Sequence, residues 1–357
     1  MNALARNERL TIAVALIATL FSGILTAAHA GAVLLFAIAG VALAALAALV
    51  GQATEQLGER LGPGATGVLQ SAIGNLPELF VGIFALRAGL ITVVQAALVG
   101  SILGNSLLVL GLAFFVGGLR HGTQRFAAET PRMIAVLTLL AVGALTVPTL
   151  AKGLHVPAGG HIGGLSVACA IILLVVFVAS IPSSLAGDPV AISGAEETEQ
   201  EKGGDWPLAL AAIVLLLAGI GAAFVSDWFV AALSPAIATL HISEAFTGLV
   251  IVAIAGNAVE NVVGIQLAAR NKPDYALSVI LNSSLQVALG LIPALVLLSY
   301  VIGGAHLTLA LPGLLVAALG LTAIVTAVVV YDGESTWLEG VALLGLYGII
   351  AAAFWWG

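Results

Sequence analysis

The sequence predicts an all-α integral membrane protein with about eleven transmembrane helices, arranged as one extra N-terminal helix and two inverted five-helix repeats. Three observations support this fold class: the composition, the length of the apolar segments and a repeated polar motif. Of the 357 residues, 61% are hydrophobic and 8% are charged, and the mean hydropathy is +1.17. Because soluble domains contain about 25% charged residues, this composition excludes a water-soluble globular protein.

The transmembrane segments are predicted from their length, since a hydrocarbon core of about 30 Å needs about 20 apolar helical residues. We predict eleven: Leu10–Thr26, Ala32–Val50, Thr66–Leu86, Ile91–Val116, Met133–Leu150, Ile162–Ile181, Trp206–Val225, Ala245–Ala268, Tyr275–Ile302, Leu307–Val330 and Trp337–Phe354. The first segment is followed by Ala28-His29-Ala30, which resembles a signal-peptidase site. The apolar run from Leu10 is, however, longer than that of a usual signal peptide.

The orientation follows from lysine and arginine, which are concentrated in cytoplasmic loops. With the N-terminus in the cytoplasm, only Arg87 and Lys152 fall outside. The other nine basic residues fall inside: Arg6, Arg9, Arg60, Arg120, Arg125, Arg132, Lys202, Arg270 and Lys272. This distribution favours both the orientation and the number of spans.

An internal repeat is visible in two short motifs. GNLPE at 74–78 recurs as GNAVE at 256–260, and Ser101 and Ser283 follow the two glutamates at the same spacing. An acidic stretch, Ser183–Asp205, separates the copies. We therefore divide the chain into an extra helix (1–30), a first repeat (31–182), a cytoplasmic linker (183–205) and a second repeat (206–357). Five spans per repeat, an odd number, would invert the second copy relative to the first.

The motifs place two carboxylates near the middle of the membrane. In a helix that starts near Thr66, Glu78 lies about 18 Å along the axis, and Glu260 lies at a similar depth in the eighth span. Gly74 and Pro77 are expected to break the first helix, because proline lacks an amide donor and glycine permits unusual backbone angles. The second motif has only Gly256 and Asn257 for this purpose, so we expect a milder break there.

Helical spacing groups further polar residues on common faces. Residues three or four apart share a helix face, which gives the sets Asn75 with Glu78, Asn257 with Glu260, Ser101 with Asn105, and Asn282 and Ser283 with Gln286. These groups offer oxygen ligands, and no histidine falls among them. Oxygen ligands suit a hard cation such as Ca²⁺ better than zinc or copper.

Two carboxylates also predict how transport is coupled. A site at the membrane midplane is electrically balanced when it holds either a divalent cation or protons, whereas two uncompensated carboxylates are costly there. Competition between a cation and protons for the same two groups, combined with alternating access, is antiport.

The motifs resemble those of a known family. GNLPEL at 74–79, GNAVEN at 256–261, GSILGN at 100–105, NSSLQVAL at 282–289 and DGEST at 332–336 are similar to calcium/proton exchangers, the CAX branch of the calcium/cation antiporter superfamily. The resemblance implies one extra helix and two inverted five-helix repeats joined by an acidic segment. It implies that Glu78 and Glu260 bind the cation and protons and that Asn75, Asn257, Ser101, Ser283 and Gln286 line the pathway. Further pathway positions are Gly74, Pro77, Gly256, Asn105, Asn282 and Asn261.

The sequence departs from the family pattern in two places. Many members have histidine where Asn261 stands, and many have glycine where Asn282 stands. Asparagine at positions 75 and 257, where sodium/calcium exchangers carry threonine or serine, resembles the proton-coupled branch. Selectivity among Ca²⁺, Mn²⁺ and Na⁺ stays open at this point.

The motifs also admit interpretations other than antiport. One broken helix with a glutamate is often structural, and buried serine and asparagine often serve helix packing. A sodium/calcium or sodium/proton exchanger and, from another class, a cation channel remain alternatives, whereas no nucleophile or histidine pair indicates an enzyme. The expected partners are Ca²⁺ and protons as substrates and the lipid bilayer, with no cofactor and no nucleic acid. A prokaryotic plasma membrane is favoured by the resemblance, and a homo-oligomer stays open.

Overall fold

The computed structural model describes residues 6–61, 73–186 and 206–356, without the side chains of residues 6–7, 58–61, 182–186, 259 and 260. The described residues are mostly helical. The helices are α1 (Arg6–Ala27), α2 (Ala32–Leu61), α3 (Leu76–Arg87), α4 (Ile91–His121), α5 (Glu129–Gly153), α6 (Ile162–Ala186), α7 (Leu208–Leu240), α8 (Glu244–Gly256), α9 (Ala258–Ala269), α10 (Pro273–Ser299), α11 (Gly313–Val329) and α12 (Trp337–Trp355). A 3-10 turn, Pro157–His161, precedes α6.

The described residues contain eight helices that are long and apolar enough to cross a membrane, and the bent pair α8–α9 would make a ninth. Helix α11 is apolar but has only 17 residues. Residues 62–72, which include the start of the third predicted span, lie outside the described part, as does most of the acidic linker. The prediction of an all-α membrane protein is confirmed, whereas the number of eleven spans stays a prediction.

The tenth predicted span, Leu307–Val330, begins with a segment that is not helical. Helix α11 starts only at Gly313, and Leu307, Leu309 and Leu311 are buried at alternate positions, as in an extended chain. Side chains of neighbouring helices bond to its backbone: Gln95 to the carbonyl of Thr308, Ser166 to the amide of Leu309 and Thr149 to the amide of Leu311. Hydropathy alone cannot distinguish such a segment from a helix, because both are apolar.

Helices α4 and α10 lie in the middle of the molecule and contact each other. Each is interrupted by a π turn, Gly104–Val109 in α4 and Val287–Leu291 in α10. These turns occupy nearly equivalent places in the two repeats when GNLPE is aligned with GNAVE. Around this pair, α2 packs along α7, α1 packs on the outside of α2, and α12 packs on the second half of α4.

The first half of α4 crosses α8 in direct backbone contact. A Cβ atom on Gly100 would collide with the backbone of Leu249, and one on Gly248 would collide with the backbone of Val93. Small residues are the usual means by which membrane helices approach this closely. The crossing brings Ser101 of the first repeat beside the end of α8, which carries the second motif.

Two short strands connect a loop of the first repeat to a loop of the second. Strand β1 (Gln124–Arg125) pairs antiparallel with β2 (Glu334–Ser335), which lies within the DGEST segment. An exposed ion pair between Arg125 and Glu334, 3.0 Å long, lies on the same pair of strands. The β1–β2 pair therefore joins the α4–α5 connection to the α11–α12 connection.

Candidate ion-binding site

The two repeated motifs interrupt their helices at the same residue. The backbone of Asn75 has φ −92° and ψ 18°, and that of Asn257 has φ −98° and ψ 21°. Both pairs of angles lie in the bridge region, and a new helix begins at the next residue in each case. Neither of these two asparagine side chains caps its helix, so both amides make their contacts elsewhere.

The break in the second motif was expected to be the milder of the two, and this comparison stays a prediction, because residues 62–72 before the first break lie outside the described part of the chain. The second motif has no proline, yet the chain bends by 64° between α8 and α9. Pro77 lies in the first turn of α3, where the missing amide hydrogen is not needed for the helix. The glycine-asparagine pair that both motifs share is therefore sufficient to interrupt the helix.

The carboxylate of Glu78 accepts hydrogen bonds from both repeats. Its Oε1 accepts one from Oγ of Ser101 at 2.8 Å and one from Nδ2 of Asn257 at 2.7 Å. Gly256 permits this approach, since a Cβ atom there would lie 2.7 Å from both Cγ and Oε1 of Glu78. Hydrogen bonds to an ionised group are roughly twice as strong as neutral ones. Helices α3, α4 and α8 thus converge on one half-buried carboxylate.

The amide of Asn257 links this carboxylate to a second polar group. Its Nδ2 also lies 3.0 Å from Oγ of Ser101 and 2.9 Å from the carbonyl oxygen of Ala253. Its Oδ1 accepts hydrogen bonds from Nδ2 of Asn105 at 3.1 Å and from Oγ of Ser283 at 3.4 Å. The Asn105 amide also donates to Oγ of Ser283 at 2.9 Å. These contacts form one continuous buried network.

Other predicted residues lie at the edge of this network or outside it. Nδ2 of Asn75 lies 3.5 Å from Oε1 of Gln286, the upper limit of a hydrogen bond. Asn282 donates to Oγ of Ser278 in its own helix at 3.2 Å and does not join the network. Asn261 contributes its backbone amide to the carbonyl of Asn257, and its Oδ1 is buried without a hydrogen-bond partner among the described residues. Gly74 forms the turn before Asn75.

Glu260 belongs to the residues whose side chains lie outside the described part of the chain. The backbone makes it the third residue of α9, as Glu78 is the third residue of α3. The two glutamates therefore occupy equivalent positions after the two breaks. The role predicted for the Glu260 carboxyl group stays a prediction.

Two contacts near the site were missed by the sequence analysis. The carbonyl of Ala253 faces the Asn257 amide, and a backbone group of this kind leaves no signal in the sequence. Oγ of Ser106 and Oγ of Ser284 lie 3.0 Å apart and are buried. Ser106 follows Asn105 and Ser284 follows Ser283, so the available signal was that each of these serines lies next to a predicted pathway residue. It joins α4 to α10 without touching Glu78 or Asn257, so we assign it to helix packing.

A small cavity lies beside Glu78. Its volume is about 30 Å³, which is room for about two water molecules. Glu78, Ser101 and Gly256 line one part, and apolar side chains of α2, α3, α4, α7 and α8 line the rest. The lining on α3 extends from Pro77 to Ala85 and on α4 from Val93 to Ser101. The cavity thus leads from the carboxylate toward the α3–α4 connection.

Comparison with known proteins identifies the family. The model of the sodium/calcium exchanger protein family matches residues 31–184 and 210–356. A Ca²⁺/H⁺ antiporter of Synechocystis is 36% identical over 346 residues, covering 91% of this chain and 91% of that protein. The Ca²⁺/H⁺ antiporter ChaA of Bacillus subtilis is 36% identical over 331 residues, covering 91% and 93%. The solved structure of native YfkE matches with a TM-score of 0.82 at 32% identity, covering 97% of this chain and 99% of that one. The resemblance to calcium/proton exchangers is confirmed, and the chain belongs to the sodium/calcium exchanger protein family.

Proposed function

We propose that this protein exchanges Ca²⁺ for H⁺ across a membrane by alternating access and that Glu78 and Glu260 bind either the cation or protons. The observation that carries the proposal is the convergence of groups from both repeats on the Glu78 carboxylate, at a break in two membrane helices. The two antiporter relatives, each matched over nine-tenths of its length, support the same substrates.

The chemistry of the site fits a hard divalent cation. Ca²⁺ binds six to eight oxygens from carboxylates, carbonyls, amides and water in flexible geometry. The site offers a carboxylate from Glu78, hydroxyl groups from Ser101 and Ser283 and, at its edge, amide oxygens from Asn75 and Gln286, whereas the amide oxygen of Asn257 faces Asn105. Glu260 would supply a second carboxylate. Two negative charges balance one Ca²⁺, and protonation of both groups balances the site after the cation leaves.

Alternating access requires that the site opens to one side at a time. The cavity beside Glu78 lies between α3, α4 and α8, and the helix breaks at Asn75 and Asn257 divide the motif-bearing segments into halves that can move separately. The proposed arrangement is an extra helix (1–30) followed by two inverted repeats joined by the cytoplasmic linker. The lysine and arginine distribution supports a cytoplasmic N-terminus, and the family resemblance supports a prokaryotic plasma membrane.

The proposal is tested by Ca²⁺ uptake into proteoliposomes under an imposed pH gradient. We expect uptake in the parent protein and none in Glu78→Gln or Glu260→Gln, because glutamine neither releases a proton nor compensates the cation charge. Glu129→Gln provides a matched control, since this glutamate is exposed at the start of α5, and it should transport like the parent.

Three other outcomes would favour a different function or mechanism. Uptake that requires sodium in place of the pH gradient would assign the protein to sodium/calcium exchange. Single-channel currents would indicate a cation channel. Uptake that survives both glutamine substitutions would refute the two-carboxylate mechanism.

A further inference from the structure

The Asn257 amide has its nitrogen turned toward Glu78 and its oxygen turned away from it. Nδ2 lies 2.7 Å from Oε1 of Glu78, 3.0 Å from Oγ of Ser101 and 2.9 Å from the carbonyl oxygen of Ala253. A backbone carbonyl oxygen only accepts hydrogen bonds, so the group opposite Ala253 must be the nitrogen. We call this the nitrogen-in orientation.

The three oxygens around this nitrogen belong to the kinds of group that bind a hard cation. Ca²⁺ takes its ligands at about 2.3–2.6 Å and takes them from oxygen, whereas an amide NH₂ group is a donor and offers it no ligand. In the nitrogen-in orientation, the hydrogens of Asn257 point into the space between the oxygens of Glu78, Ser101 and Ala253. The amide must turn before its oxygen can join them as a ligand.

We infer that the Asn257 amide is a switch that turns to an oxygen-in orientation when Ca²⁺ binds, and that Asn105 is the positioning residue that stabilises the nitrogen-in orientation. The inference rests on the proposed function, because it assigns to one residue of that site a movement coupled to the cation. Asn105 itself does not contact Glu78 through any described hydrogen bond.

The hydrogen bonds of Asn105 favour one orientation of its neighbour. Asn105 is fully buried, and its Nδ2 donates to Oδ1 of Asn257 at 3.1 Å and to Oγ of Ser283 at 2.9 Å. Its Oδ1 is buried without a hydrogen-bond partner in the described part of the chain. If Asn257 turned, two NH₂ groups would face each other. If Asn105 then turned as well, its Oδ1 would accept a hydrogen bond from Asn257, but its NH₂ group would be left buried without an acceptor. Two unsatisfied hydrogens would then replace the one unsatisfied Oδ1, and unsatisfied polar groups are costly when buried.

The positioning residue Asn105 of the first repeat has no polar counterpart in the second. When GNLPE is aligned with GNAVE, Asn105 corresponds to Val287, which has no polar side-chain atom. The counterpart of Asn257 is Asn75, whose Nδ2 instead faces Oε1 of Gln286 at 3.5 Å. The two motif asparagines are thus held by different partners, so the switch belongs to Asn257.

Asn105→Val tests the inference, because valine is the residue that the second repeat has at this position. Without the donor from Asn105, the nitrogen-in orientation competes less with Ca²⁺ binding. We expect the KM for Ca²⁺ in pH-driven uptake to fall about ten-fold. The maximal rate should fall as well, since cation release returns the amide to the nitrogen-in orientation. A higher KM would make Asn105 a ligand, and an unchanged KM would make it a packing residue; either result overturns the inference.

Ser106→Ala is the matched control. Ser106 lies in the same π turn, is equally buried and bonds to Ser284 rather than to Asn257. A general loosening of the α4–α10 contact would change the KM in this variant too, which would also overturn the assignment to Asn105. We expect its KM to equal that of the parent.

A measurement on the parent protein does not depend on how the variant folds. Asparagine is labelled with ¹³C at the side-chain carbonyl, and infrared difference spectra are recorded with and without Ca²⁺ at a concentration that saturates uptake. We expect a labelled carbonyl band to shift to lower frequency in the parent and also in Asn75→Ala, because coordination of the Asn257 oxygen to Ca²⁺ weakens its C=O bond. The absence of such a shift would overturn the switch.

Failure of this inference is distinguishable from failure of the proposed function. A parent protein that shows no pH-driven Ca²⁺ uptake refutes the function. A parent that takes up Ca²⁺ normally, while Asn105→Val has an unchanged or higher KM, refutes the switch alone.

Discussion

The close approach of Gly256 to Glu78 gives the sharpest prediction. In Gly256→Ala the new Cβ atom would lie 2.7 Å from Cγ and Oε1 of Glu78, whereas ordinary contacts are 3.4–4 Å. The carboxylate would have to move by at least about 0.7 Å, which would stretch its hydrogen bonds to Ser101 and Asn257. A hydrogen bond to a charged group contributes about 1.5–3 kcal/mol, and overpacking costs about 1–3 kcal/mol. Because Glu78 is the proposed cation ligand, we expect its displacement to cost about 2–3 kcal/mol of Ca²⁺-binding free energy.

This loss corresponds to a fall of about 30- to 150-fold in Ca²⁺ uptake at subsaturating concentration. The assay is pH-driven uptake into proteoliposomes, with size-exclusion chromatography to show that the variant remains folded. Gly143→Ala is the control, because a Cβ atom on this glycine of α5 meets nothing within 4 Å. Uptake by Gly256→Ala within about two-fold of the parent would refute the argument that this glycine positions the carboxylate.

Three further predictions concern the surrounding helices. Gly100→Ala should lower the free energy of unfolding by at least about 3 kcal/mol, because its Cβ atom would collide with backbone that cannot move aside. The measurement is thermal unfolding, with Gly104→Ala as the control, since a Cβ atom on Gly104 meets nothing within 4 Å. Equal midpoint temperatures for the two variants would contradict the prediction. Ser101→Ala should raise the KM for Ca²⁺ by about ten-fold or more, because the site loses a hydroxyl oxygen that lies 2.8 Å from the Glu78 carboxylate and is a proposed cation ligand; an unchanged KM would be evidence against this role. Arg125→Ala should change stability by less than about 1 kcal/mol, since its ion pair with Glu334 is exposed, and a larger loss would show that the strand pair depends on it.

The sequence was sufficient for the features that depend on composition and spacing. The membrane class follows from the apolar content, and the register of the two repeats follows from the equal spacing between glutamate and serine in both copies. The positions of the breaks at Asn75 and Asn257 were also predictable. The matching backbone angles at Asn75 and Asn257 were not, because the proline of the first motif suggested two different breaks, whereas the glycine-asparagine pair is common to both motifs.

The contacts between repeats could not be read from the sequence. Helical spacing relates residues within one helix, whereas Asn105 lies in α4, Asn257 between α8 and α9 and Ser283 in α10, and these residues meet only through tertiary packing. The extended segment before α11 shows the same limit, since side chains of distant helices satisfy its backbone. The carbonyl of Ala253 became a candidate ligand only when the end of α8 was placed beside Glu78.

The most direct test of the central claim is to follow Ca²⁺ and protons together in the same proteoliposomes. An inward Ca²⁺ gradient is imposed with the membrane potential clamped, and the internal pH is recorded with a trapped dye. Ca²⁺ entry accompanied by proton exit, with both lost in Glu78→Gln, is the predicted result. Ca²⁺ entry without proton exit, or proton movement that persists in Glu78→Gln, would contradict exchange at this carboxylate.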